Sequence, residues 1–264
     1  MHPDWMIPDW PAPASVRAVC TTRAGGVSAA PYDSLNLGDH VGDDPGHVAA
    51  NRAVLRAALG VQPVFLSQVH STDAVYLNAR TPDGTVGDAC LTDQPGVACT
   101  VMVADCLPVL FTTRQGTAVA AAHAGWRGLA GAGDVGILEE TYKRFSTLAH
   151  TNHALVATEI IAWLGPCIGP DAFEVGDEVR AAFLLNGAPD AAQMAACFRP
   201  LPSGKWLADL AGLARLRLRR IGITQLYGND SGAAWCTASN PSRFFSHRRD
   251  RVSGRFCASI WRVL

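Results

Sequence analysis

Residues 97–123 read VACTVMVADCLPVLFTTRQGTAVAAAH, and the fold class turns on this stretch. Three short runs rich in apolar and β-branched residues, 97–103, 109–113 and 117–123, are set apart by Ala104-Asp105-Cys106-Leu107-Pro108 and by Arg114-Gln115-Gly116. Runs of this length and composition predict strands of a buried sheet, the last two joined by the Arg-Gln-Gly turn. Working outward, residues 16–22, 63–70, 74–77, 160–164 and 256–263 carry the same signature. A glycine-containing loop, 21–28, leaves the first of these and continues through Asn36-Leu37-Gly38. Asp44-Pro45 supplies an N-cap and a first-turn proline for a helix bearing Val48, Val54, Leu55 and Leu59, and Gly60 ends it. Residues 129–150 begin glycine-rich and turn helical, and 206–221 show helical periodicity with arginines on the polar face. Strands and helices mix without strict β-α-β alternation. The chain is therefore expected to form a layered α/β fold with a mixed sheet, not a Rossmann fold. No Pro/Ser/Gly linker divides it, so residues 1–264 are read as one domain, with 185–196 its least structured stretch and no more than a loop.

The 264 residues are 48% hydrophobic and 17% charged, enough to bury a sizeable core. Lys plus Arg (22) nearly balances Asp plus Glu (23), which leaves no overall positive field to draw nucleic acid nonspecifically. No stretch reaches the roughly 18 apolar residues of a membrane span, and the first ten residues lack a signal-peptide pattern. A cytoplasmic location is expected. Eight cysteines lie scattered without a CxxC pair, which predicts reduced thiols, most of them packed as small core residues.

Three residues at strand ends stand out: His70 in Gln68-Val69-His70, Cys106 after Asp105, and His123 before Gly125-Trp126-Arg127-Gly128. Strand ends in α/β folds converge on crevices, and two imidazoles with one thiolate suit zinc while leaving a fourth position open. Their spacing is too long for a local metal motif. Taken singly, each reads as a satisfied histidine or a packed thiol.

The blocks Gln68-Val69-His70, Gly87-Asp88-Ala89, Ala104 to Pro108, His123 to Gly128 and Leu164-Gly165-Pro166-Cys167-Ile168-Gly169 closely resemble the laccase-domain, YfiH-like family. So do residues 21–28, Phe173-Glu174-Val175 and 244–250. The blocks run in family order over nearly the whole chain. The resemblance implies a fold similar to that of some cysteine hydrolases, with His70, Cys106 and His123 on the metal-ligand positions. It also implies phosphorolysis of adenosine and inosine, methylthioadenosine cleavage and adenosine deamination, with purine nucleosides and phosphate as partners. Relatives have been linked to editing of peptidoglycan precursors as well. Zinc is the expected metal, with copper possible at the same triad. The family has also been called a multicopper polyphenol oxidase. A four-copper site needs many more imidazoles than this chain's eight histidines offer, none in a His-x-His pair or beside a cysteine. At most a weak copper-dependent oxidation is expected.

For deamination, zinc lowers the pKa of its water to about 7, and a carboxyl group must shuttle protons. Glu174, Asp88 and Asp105 are the candidates. For phosphorolysis a dianion must be held: Arg127, entering a helix just after His123, and Arg23, in the 21–28 loop, are the expected clamps. Asn36 is a candidate for reading ribose hydroxyls and Trp126 and Phe173 for stacking a purine. The resemblance brings Arg248 toward the site. Two rivals remain: a metal-free cysteine hydrolase with Cys106 or Cys167 as nucleophile and His123 as base, and RNA binding. The latter would use a strip of Arg243, His247, Arg248, Arg249, Arg251 and Arg255 with Phe244 and Phe245 between them. Oligomeric state is left open.

Overall fold

The computed structural model describes residues 1–149, 157–184 and 190–263. Period-two burial builds two sheets. One, in spatial order β1 (Val16–Cys20), β13 (Phe256–Arg262), β5 (Val97–Val103) and β2 (Gln62–Phe65), is antiparallel except for the β2/β5 pair. The other runs β12 (Gln225–Gly228), β8 (Ile160–Leu164), β6 (Leu107–Thr113), β7 (Val119–Ala124), β4 (Ala89–Thr92) and β3 (Ala74–Tyr76), with parallel pairs at its two edges. The fold is mixed α/β, as the interspersed pattern implied. The β6/β7 hairpin turns at Arg114-Gln115-Gly116 as expected, with Thr112 opposite Val119.

Side-chain alternation explains why these strands read as unbroken apolar runs. Along β5, Val97, Cys99, Val101 and Val103 face a core shared with Leu110, Val119, Ala121 and Trp163 of the second sheet. The intervening Ala98 and Met102 face the opposite way, onto α1 (Pro45–Leu59) through Leu55 and Leu59. Beyond the second sheet, Val109, Phe111, Ala120 and Ala122 meet α3 (Ile137–Ala149) and α6 (Leu210–Arg220). The result is a helix–sheet–sheet–helix sandwich whose strands are covered on both faces. A third, three-stranded antiparallel sheet joins β10 (Phe198–Pro200), β11 (Trp206–Ala208) and β9 (Glu174–Val175).

Four departures from the sequence reading exceed two residues. The 63–70 strand stops at Phe65, because Ser67 leaves to bridge Val86. The 129–150 helix is two: α2 (Trp126–Ala130) and α3, parted by a turn where Gly131, Gly133 and Asp134 take positive φ. Its predicted last residue, His150, lies outside the described residues. The 206–221 helix begins as β11, and only then does Asp209 accept from the Gly212 amide at 2.8 Å to cap α6. In the 185–196 loop, residues 185–189 lie outside the described residues, while Ala191–Ala196 form α5. The short elements β4, β9, β10, β12, α4 (Asp177–Phe183) and α7 (His247–Asp250) carry no periodic signal long enough to read. Among the described residues no helix is long and apolar enough to cross a membrane.

Candidate metal centre and cleft

His123 continues the inward face of β7 after Val119 and Ala121, and emerges where the two sheets part. Cys106 directly precedes β6, placed by Asp105, which turns the chain at φ +92°. His70 sits beyond β2 in a left-handed conformation, φ +62°, that a histidine adopts only under outside constraint. Asp88 supplies the constraint. Fully buried just before β4, its carboxylate accepts from the Val69, His70 and Ser71 amides at 3.1, 3.0 and 2.7 Å, and from the Ser71 hydroxyl at 3.1 Å. It also takes His123 Nδ1 at 2.8 Å. An ionised carboxylate only accepts, so Nδ1 carries a proton and Nε2 faces the cleft, where a bound metal would displace any proton it holds.

The ligand atoms of His70, Cys106 and His123 lie within 4.8 Å of one another. His70 Nε2 is 3.7 Å from Cys106 Sγ, and the two imidazoles meet edge to face at 4.8 Å between centroids. Gly125 completes the cradle: a Cβ there would stand 2.8 Å from His70 Cδ2 and 3.0 Å from Cys106 Sγ. Burial by itself would raise the Cys106 thiol, but the charge and hydrogen bond of His123, with His70 beside it, bring it down to about 6. Burial likewise disfavours the His123 cation. The Cys106 charge and the Asp88 hydrogen bond outweigh it and raise the ring to about 9. Asp88 is disfavoured as an anion by burial, yet His123 and the Ser71 and Val69 amides hold it below the usual carboxylate range. A deprotonated thiol and two imidazoles, one oriented by a carboxylate, form a donor set that fits a tetrahedral zinc with one position open. It is the one such group of His, Cys, Asp or Glu among the described residues.

The triad lies in a cleft of about 420 Å³. Met102, Val103, Trp126, Ile168 and Phe173 give it apolar walls, while Gln68, His40, His247, Arg248, Arg251 and Arg255 line its polar side. Arg248 is held at this side by Asp105, Glu174 and Phe173. Its amide donates to Asp105 Oδ2 at 2.7 Å, its Nη1 to the Glu174 carbonyl at 2.8 Å, and its guanidinium lies 5.5 Å from the Phe173 centroid.

Several other candidates are placed elsewhere. Arg23 is outside the cleft lining, engaged by Asp33 and the Pro241 carbonyl. Arg127 is exposed and lies 4.4 Å over the Trp126 ring, covering one face of it. Asn36 is buried and holds its own loop: its Nδ2 donates to Gly38 and Asp43, and its Oδ1 accepts from Gly38 and Arg255 amides. Glu174 lines a neighbouring cavity, paired with Lys205 at 2.7 Å, where that lysine keeps it ionised. Asp105 does line the cleft, with both oxygens occupied, by Thr237 Oγ1 at 2.6 Å and the Arg248 amide. Asp88 is enclosed. None of the three carboxylates is free to carry protons through the cleft. Cys167 is buried 1% exposed with its thiol pushed well up by burial, a poor nucleophile. Phe244 and Phe245 are at 0% exposure, so the basic strip offers no aromatic platform to RNA bases.

Gln68 and His40 were not singled out as site residues. Gln68 brackets Met102, donating to its carbonyl at 2.8 Å and accepting from its amide at 2.7 Å, and so ties the His70 loop to β5. Its place two residues before His70 was the available signal; His40 left none.

A profile described as multi-copper polyphenol oxidoreductase laccase matches residues 17–263. The chain is 48% identical over 260 residues to the purine nucleoside phosphorylase YfiH of Escherichia coli K12, covering 98% of each chain. It is 45% identical over 258 residues to the purine nucleoside phosphorylase of Haemophilus influenzae, covering 96% of this chain and 97% of that one. Among solved structures, the Neisseria meningitidis protein NMB0706 superposes with a TM-score of 0.86 at 45% identity, covering 99% of this chain and 100% of the other. YlmD of Geobacillus stearothermophilus gives 0.80 at 32% identity, covering 95% and 93%.

Proposed function

Because the chain belongs to the multi-copper polyphenol oxidoreductase laccase family, which it shares with relatives named purine nucleoside phosphorylase, we propose that it is a metal-dependent purine nucleoside phosphorylase working in this cleft. The observation that carries the reading is the convergence of His70, Cys106 and His123 on the cleft floor with His123 held by Asp88. These three residues would hold zinc, and copper is accommodated by the same donors. Zinc, when bound, supplies a Lewis acid and lowers the pKa of water to about 7.

In phosphorolysis the bond from the ribose carbon to the purine nitrogen breaks with its electron pair staying on the purine. A phosphate oxygen bonds the ribose carbon, and the purine takes the proton that hydrogen phosphate gives up. The chain must therefore seat a dianion next to a nucleoside and exclude bulk water. Met102, Val103 and Ile168 offer a purine an apolar wall, with Phe173 alongside, and the arginines of the polar side face phosphate. Adenosine, inosine and methylthioadenosine share the parts these groups would touch. Adenosine deamination is proposed for the same cleft. Its proton carriers would be His40 and His247, which line the cleft, and not Glu174, Asp88 or Asp105. The eight cysteines are all unpaired, which suits a reducing compartment, and the cytoplasm is the proposed location.

One observation favours a second reading. Cys106, His123 and Asp88 form a nucleophile–base–carboxylate chain with a thiol near 6, the arrangement of a cysteine hydrolase; peptidoglycan precursors would be among its substrates. Metal content measured alongside phosphate-dependent purine release, in wild type, His70→Ala and Cys106→Ala, separates the two. Stoichiometric zinc and purine release lost together in both variants are expected. Full turnover in metal-free protein, abolished by thiol alkylation, would transfer the assignment to the hydrolase.

A further inference from the structure

Arg248, Arg251 and Arg255 line the cleft, with Arg249 beside them in the chain. Arg249 binds Asp250 and the carbonyls of Thr237, Ala238 and Phe244. Arg255 donates Nη1 to the Ser253 and Gly254 carbonyls. Arg255 lines only the cleft, whereas Arg248 and Arg251 also line a second cavity. Arg248 commits only Nη1, to the Glu174 carbonyl, and its Nε and Nη2 have no hydrogen-bond partner among the described residues. Arg251 makes no side-chain hydrogen bond or ion pair among the described residues, although its backbone is held at φ +62° by an amide bond to the His247 carbonyl.

Both side chains line the cleft of the triad and also a second cavity of about 470 Å³ that carries Lys205. They stand where the two cavities meet. The carboxylates there leave the guanidinium donors open: Asp105 accepts from Thr237 and from the Arg248 backbone amide, and Glu174 is paired with Lys205. Two cations with open donors lining the same pair of cavities suit an anion, and forked guanidinium donors match tetrahedral oxyanions.

We propose that Arg248 and Arg251 form the seat of the phosphate dianion, at the junction of the cleft and the second cavity. The identity of the anion rests on the phosphorylase reading; the seat rests on two guanidiniums with open donors that line both cavities. It replaces as the phosphate clamp Arg23, which Asp33 and Pro241 engage, and Arg127, which lies over Trp126 and is not among the residues lining the cleft.

Arg251→Gln is the decisive variant, since among the described residues no hydrogen bond or ion pair ties this side chain to the fold. Steady-state phosphorolysis is measured with phosphate and nucleoside varied separately, and zinc content is measured in the same samples. Losing a charged donor pair should raise the KM for phosphate roughly tenfold to a hundredfold, with the nucleoside KM within about twofold and zinc unchanged. Arg251→Lys should fall between. A phosphate KM unmoved by Arg251→Gln overturns the proposal. Calorimetric titration of inorganic phosphate into both proteins adds a readout independent of turnover. Should wild type bind phosphate but release no purine, with binding lost in Arg251→Gln, the seat stands and the phosphorylase reading falls. Equal binding to both proteins, or none to either, overturns the seat.

Discussion

Asp88 joins both halves of the metal centre: its carboxylate fixes the His70 turn through three amides and sets the proton of His123. Asp88→Asn replaces an acceptor-only group by one that must present N–H donors to N–H donors. Zinc affinity should fall about 10–100-fold, read by competition with a chromophoric chelator. Its folded pKa is depressed, so its stabilisation is complete above the unfolded carboxylate value of about 3.9 and is lost as pH falls through the folded value. Urea titrations of the metal-free proteins should show the wild-type advantage over Asp88→Asn at pH 7 and its shrinkage toward pH 3. An advantage independent of pH would mean that Asp88 acts by packing alone. Gly125 lies at φ −69°, a conformation open to any residue, so Gly125→Ala meets only the His70 and Cys106 side chains. Weaker metal binding with an unchanged melting temperature of the metal-free protein is expected.

At the scale of elements, α1 shows how far local signals reach. Asp44 accepts from the Gly46 and His47 amides, Pro45 starts the helix, and Gly60 closes it at φ +69°. A Cβ on Gly60 meets nothing within 4 Å, so Gly60→Ala isolates the backbone cost, about 1 kcal/mol by chemical denaturation. The turn between α2 and α3 is held from a distance instead. Arg217 of α6, 1% exposed, reaches Asp134 and Glu139 at 2.6 Å each. Arg217→Ala strands the Glu139 carboxylate, while Asp134 keeps Arg220, and should cost about 3 kcal/mol. A loss under 0.5 kcal/mol would show that the turn holds without it.

For the whole molecule, the centre lies where two sheets part, with ligands from three separated stretches, so occupancy is coupled to folding. Zinc at a hundred times its Kd should stabilise wild type by about 2.7 kcal/mol, seen as a raised melting temperature, and His70→Ala should show no such rise. The same geometry explains what was legible beforehand. The strands 97–103 and 160–164 were read to the residue, because both faces of each are buried and no polar alternation blurs the run. β4 escaped notice because its four residues are too few to show a pattern, although it presents Asp88 to the site.

The sequence by itself determined the class of layered mixed-sheet fold, the capped α1, the β6/β7 hairpin, and His70, Cys106 and His123 as the residues to watch. These follow from burial period, capping chemistry and recognisable blocks, all of which act within a few residues. Which charged groups face the cleft was decided only by tertiary structure. Arg23, Arg127, Asn36 and Glu174 look as available in the sequence as Arg248 and Arg251. Whether a guanidinium or carboxylate remains open depends on partners far along the chain: Pro241 takes Arg23, Arg255 takes Asn36, Lys205 takes Glu174, and nothing among the described residues takes Arg251. Hydrogen-bond satisfaction is a property of the packed whole, and no local reading of residue type contains it.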